Sequence, residues 1–178
     1  MSIDVKDAAI PEIKIISGNR FYDERGFFTE TYKESEYEDI GIPRFVQDNV
    51  SESKIGVIRG LHWQESPFAQ GKLVTCIFGS IFDVAVDIRK GSPTFGQHIE
   101  IELNGDESKA IWIPEGFAHG FQALTNQTKV QYKVTNYWKQ TSEKSILATD
   151  PKLEIKWPIK NYVLSEKDRN APVIELNP

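Results

Sequence analysis

A chain of 178 residues, 39% hydrophobic and 26% charged, is long enough to bury one core and has the make-up of a soluble globular protein. Its net charge of -5 excludes the broad basic face of a general nucleic-acid binder. It leaves room for a few cations focused on a small anionic ligand. Cys76 is the single cysteine, which excludes a disulfide framework and a cysteine-built zinc site within one chain.

No apolar run approaches the roughly 18 residues of a membrane helix. Residues 1–7 lack a basic segment followed by an apolar one, so no secretory signal is read and the cytoplasm is the expected location. No linker, low-complexity stretch or repeat divides the chain, and one domain over 1–178 is expected.

In chain order, Asp23-Glu24-Arg25-Gly26-Phe27-Phe28-Thr29-Glu30 reads as a strand that follows a polar turn. It also reads as an arginine and an aromatic that face a nucleotide, Arg25 on phosphate and a ring on the base. Residues 33–40 fit two helical turns ended by Gly41. Short strands are expected over 73–78, 81–88, 98–103, 110–113 and 130–135. Asp83 and Asp87 sit inside the β-branched second run, and Ile99, Ile101 and Leu103 share one face of the third. Turn signals separate them at Gly91-Ser92-Pro93, Asn104-Gly105-Asp106 and Thr125-Asn126-Gln127. Ser165-Glu166-Lys167-Asp168 reads as a capped helix start. Many short strands with sparse helix predict an all-β antiparallel jelly roll with short peripheral helices. Exposed sheet edges in such a fold are often covered by a second subunit, so a homodimer is expected.

Three histidines offer chemistry: His62, His98 and His119. In Arg59-Gly60-Leu61-His62, a forked cation, a glycine and an imidazole fall within four residues. Arginine suits phosphate, and glycine allows close backbone approach. The bland alternative is a surface ion-pair arginine and a satisfied strand histidine. His119 lies in Pro114-Glu115-Gly116-Phe117-Ala118-His119, a half-motif of cupin sandwiches in which the histidine often binds metal. The complementary His-x-His is missing, because Trp63 and Gln64 follow His62, so too few ligands remain for a catalytic metal. Gln70-Gly71-Lys72-Leu73 is either a plain turn or a lysine aimed into a barrel mouth. Tyr132 shares a strand face with Val134 and Asn136, and core packing is its ordinary role.

Taken together, these segments resemble the dTDP-4-dehydrorhamnose 3,5-epimerase family. The matching stretches also include Phe45-Val46-Gln47-Asp48-Asn49, Phe82-Asp83-Val84-Ala85-Val86-Asp87-Ile88-Arg89 and Ser92-Pro93-Thr94-Phe95-Gly96, and they run in order from about residue 10 to 172. The resemblance implies a cupin-type double-stranded β-helix, a homodimer with residues crossing between subunits, no metal and no organic cofactor. The implied substrate is a dTDP-linked 4-keto-6-deoxyhexose, inverted at C3 and C5 on the way to dTDP-L-rhamnose; the alternative is a relative that inverts C3 or C5 alone for another deoxysugar. By the same resemblance His62 is the base, Asp168 its carboxylate partner, Tyr132 the acid and Lys72 the group at the C4 oxygen. Arg25 and Arg59 match diphosphate contacts, and Gln47 and Glu30 match groups near the base. Asn49, Ser51 and His119 match further pocket positions. Trp138 departs from the family's frequent tyrosine: the indole keeps a stacking face and removes a hydroxyl.

Overall fold

A computed structural model describes residues 3–175. The N-terminal part contains β1 (Asp4–Asp7), β2 (Lys14–Ser17), the hairpin β3 (Arg20–Asp23) and β4 (Gly26–Thr29), and helix α1 (Glu34–Asp39). The strands that follow are β5 (Gln47–Ser53), β6 (Ile58–Gln64), β7 (Lys72–Phe78), β8 (Ser80–Asp87) and β9 (His98–Asn104). Then come β10 (Lys109–Ile113), β11 (Phe117–Ala123), β12 (Thr128–Val134), β13 (Glu143–Ser145) and helix α2 (Glu166–Arg169).

The strands form a six-stranded sheet ordered β1-β2-β10-β7-β12-β5 and a five-stranded sheet ordered β13-β6-β11-β8-β9, with the β3–β4 hairpin apart. Period-two alternation explains the layering. Val74, Cys76, Ile111, Ile113 and Val130 of the first sheet meet Ile81, Ala85, Ile99, Leu103, Phe117 and Phe121 of the second in one buried core. Each outer face is covered in turn. Tyr37 and Ile42, at and beyond α1, cover Leu73, Ala110 and Trp112. Ile146, Leu153, Trp157 and Leu164 of the C-terminal segment cover Ile58, Val84, Val86 and Ala118. Strand β8 is thus enclosed on both faces, which explains its nearly unbroken apolar run.

The jelly roll with short peripheral helices agrees with the sequence reading. The strand expected over 130–135 runs Thr128–Val134, and the helix expected over 33–40 is Glu34–Asp39. Gly41 follows that helix with φ +79°, the left-handed conformation that a helix end favours. No helix among the described residues is long and apolar enough to cross a membrane.

Candidate active site

The two sheets part at one end around a cavity of about 540 Å³, within the usual range for small-ligand sites. One side comes from the first sheet. Lys72 on β7 and Tyr132 on β12 point inward, because Tyr132 pairs with Val74 and Val74 belongs to the inner core. Gln47, Asn49 and Ser51 alternate along β5 and face the cavity, with Asn49 opposite Tyr132 and Ser51 opposite Val130. Gln47 Nε2 donates to Asn49 Oδ1 at 2.9 Å, and Gln47 Oε1 accepts from the Trp138 backbone N–H at 3.0 Å. Trp138 stands on the rim, 52% exposed. The Ser51 hydroxyl is buried and has no hydrogen-bond partner, so it is available to a ligand.

The opposite side depends on an irregularity in β6. His62 pairs with His119, but Arg59 pairs with Phe121, so three steps along β6 match two along β11. This is a β-bulge. Residues three apart in a regular strand face opposite ways, yet here Arg59 and His62 both line the cavity. Gly60 makes the bulge possible. Its φ is +130°, and a Cβ there would lie 2.5 Å from Gly120 Cα.

His62 Nε2 lies 2.6 Å from Asp168 Oδ1. Asp168 is only 4% exposed. It sits on α2, whose first turn is capped by Ser165 Oγ accepting from the Asp168 N–H at 3.0 Å, as the sequence signature implies. Burial pushes the Asp168 carboxyl upward, but its hydrogen bond and attraction to His62, with support from Ser165, bring it below the usual carboxylate range. A hydrogen-bonded carboxylate of this kind holds one imidazole tautomer and stabilises imidazolium as it forms.

Lys72 bridges the two sides by donating from Nζ to the His62 carbonyl at 2.9 Å. Burial lowers its pKa to about 8, against the pull of Asp83 and Glu143. Burial likewise raises the Tyr132 hydroxyl; Arg59 opposes the shift and Glu143 adds to it. Tyr132 therefore keeps its proton near neutral pH. Behind these groups, His119 Nε2 lies 2.8 Å from the fully buried Asp83. Asp83 Oδ1 has no hydrogen-bond partner. Lys72 and His119 are the cationic and imidazole groups beside it.

Arg59 is held ready rather than buried: Nε donates to Ser53 Oγ and Nη2 to the Glu52 carbonyl, both at 2.9 Å. Arg25 and Glu30, by contrast, do not line this chain's cavity. Arg25 lies on the hairpin turn, its side chain 84% exposed and paired with Asp23. His98 pairs with Glu100 on β9, also outside the cavity. Sequence reasoning missed three groups. Glu143 and Lys167 line the cavity, and Asp83 supports His119 from behind. An acid within the apolar run of β8 is the one signal that could have flagged Asp83. No cluster of three or more His, Cys, Asp or Glu among the described residues could hold a metal ion.

The dyad of β6 and α2 on one side, and the lysine and tyrosine of the other sheet, can take a proton from one side of a bound molecule and return one from the other. The chain is similar to known proteins in sequence and in fold. The family profile for dTDP-4-dehydrorhamnose 3,5-epimerase matches residues 7–175. The dTDP-4-dehydrorhamnose 3,5-epimerase of Salmonella typhimurium is 49% identical over 98% of this chain and 97% of its own. The crystal structure of dTDP-6-deoxy-D-glucose-3,5-epimerase from Legionella pneumophila, in complex with dTDP-4-keto-L-rhamnose, superposes with a TM-score of 0.92. It is 49% identical and covers 96% of this chain and 92% of that one. The Bacillus anthracis enzyme with TDP and PPi bound gives 0.94 at 42% identity, covering 97% of this chain and 100% of that one. The chain is an epimerase and belongs to the dTDP-4-dehydrorhamnose 3,5-epimerase family.

Proposed function

We propose that this chain inverts C3 and C5 of dTDP-4-keto-6-deoxy-D-glucose to give dTDP-4-keto-L-rhamnose, in dTDP-L-rhamnose biosynthesis. The observation that carries this reading is the placement of the His62–Asp168 pair on one side of the cavity and Tyr132 with Lys72 on the other. The hydrogens on C3 and C5 flank the C4 ketone and are acidic for that reason. His62 removes one, and the electron pair of the C–H bond moves onto O4 as an enolate. The Lys72 ammonium stabilises that charge, a contribution that is usually the largest in such reactions. Tyr132 then protonates the carbon from the far side, which inverts it. The same groups act at the second carbon once His62 has released its proton to water and Tyr132 has taken one up from water. The reaction is redox-neutral, so it calls for no nicotinamide.

Arg59 is placed to take the diphosphate and supply remote binding energy. Gln47, Asn49, Ser51, His119 and Trp138 surround the sugar and base. Arg25 and Glu30 are assigned to a partner's cavity. The hairpin that carries Arg25 exposes Phe21, Tyr22, Phe27 and Phe28 at 47%, 71%, 53% and 61%. An apolar patch of this kind is suited to burial against another subunit, and a homodimer would bring the arginine toward the second site.

Incubation with dTDP-4-keto-6-deoxy-D-glucose in heavy water tests the reading. The expected product carries deuterium at both C3 and C5 and has the L-rhamno configuration; uptake of a single deuterium would exclude double inversion. Tyr132→Phe separates the two half-reactions. It is expected to keep exchange within about tenfold of the parent while forming little inverted product, since one acid contributes on the order of 10²–10⁴. Normal yield of inverted sugar from this variant would remove Tyr132 as the acid.

A further inference from the structure

Helix α2 is a single turn over Glu166–Arg169, and a helix that short has no stability of its own. Yet it carries Asp168, whose 2.6 Å contact holds His62. Ser165 caps the turn but belongs to the same segment, so the cap does not fix the turn against the sheet.

A second attachment does. Lys167 Nζ lies 2.6 Å from Glu143 Oε2. Glu143 opens β13, the edge strand beside β6, where Glu143 pairs with Gln64 and Ser145 with His62. Two adjacent residues of α2 therefore reach two adjacent strands: Asp168 reaches β6 and Lys167 reaches β13. Both members of the ion pair line the cavity. Glu143 and Asp168 are its only carboxylates among the described lining residues. The side chains of Lys167 and Glu143 are 52% and 23% exposed, so the pair contributes little to global stability. Its location explains it better than its strength.

We infer that Lys167 and Glu143 form a positioning clasp, which pins the turn carrying Asp168 to the edge strand and so sets the alignment of His62. Neither residue is assigned to the reacting atoms. The clasp rests on His62 being the base. With the clasp open, α2 is tethered by its chain ends and its contacts with β6, and the dyad spends less time aligned. Ligand contacts on β5 and at Arg59 are untouched, so the loss falls on kcat.

A double-mutant cycle on the exchange reaction tests this. Glu143→Gln and Lys167→Met are each expected to lower kcat about tenfold, the scale of a modest misplacement of a catalytic group. KM and the urea midpoint should stay within about twofold and within error of the parent, respectively, as expected for an exposed pair. The double variant should be no slower than either single one, because both remove the same contact. Lys167→Arg should retain at least about half of the parental rate, since it keeps a donor to the carboxylate. Wild-type kcat in Lys167→Met, or losses that multiply in the double variant, would overturn the clasp. His62→Ala assayed alongside separates the two assignments. Full exchange in it removes the base itself, whereas no exchange in it with unimpaired clasp variants removes only the clasp.

Discussion

His62→Ala is expected to lose deuterium exchange at C3 and C5 together, by about 10³-fold or more, at the upper part of the range for a general base. One imidazole serves both carbons in the proposed mechanism, so neither should be spared. Asp168 cannot substitute. Its carboxyl stands one hydrogen bond behind the imidazole, a ring's width from the position assigned to the base. The sign of its pH effect follows from linkage. A carboxylate with a depressed folded pKa contributes stability above its unfolded value and loses it as pH falls through the folded one. The dyad is thus intact at neutral pH and fails only in acid. Exchange at the parental rate in a folded His62→Ala protein, followed by NMR, would remove His62 from the reaction.

Lys72→Met is expected to separate stability from activity. Lys72 is 8% exposed, and its pKa falls from 10.5 to about 8. That displacement is a cost of about 3 kcal/mol to the folded state wherever the lysine is charged in both states. The variant removes this cost and leaves the His62 carbonyl without the donor at 2.9 Å, a loss of about 1 kcal/mol. A net gain of about 2 kcal/mol at pH 7 follows. Between pH 8 and 10.5 the unfolded chain binds the extra proton, so parental stability rises with pH across that window and the advantage of the variant shrinks. Catalysis runs the other way. Without a cation at O4 the turnover should fall by about 10²–10³-fold, and the parent should lose activity as pH rises past about 8. Urea unfolding at pH 7 and 10, beside kcat, checks both halves. A variant less stable than the parent, or equally active, would contradict the assignment.

The sequence made some of this legible and hid the rest for physical reasons. Residues 81–88 read as a strand because a β-branched run between glycine-bearing turns suits nothing else, and β8 spans Ser80–Asp87. Ser165 read as a cap because capping is a local hydrogen bond. Strand β1, with the sequence DVKD, shows no such run. Its ladder is supplied by β2, ten or so residues on. Glu143 lies in a polar stretch that looks like any solvated loop until β13 pairs beside β6. Arg25 reads from the sequence as a phosphate contact, but the fold of one chain sets it on an exposed turn outside the cavity. The residue type is a property of the sequence; its place relative to the cavity is a property of the fold.

The irregularity at Gly60 has a meaning for how such a site can change. Arg59 and His62 are an odd number of residues apart, and strand parity would send them to opposite layers. The extra residue resets that parity. The two are therefore brought to one face by the bulge and not by strand alternation. Gly60→Ala, whose added Cβ would lie 2.5 Å from Gly120 Cα at a φ of +130°, should disrupt the bulge and turn one of the two side chains away from the cavity. The rim that bears Trp138 has no such constraint. Residues of that rim, Trp138 among them, can be exchanged without disturbing the backbone irregularity that holds Arg59 and His62 on one face.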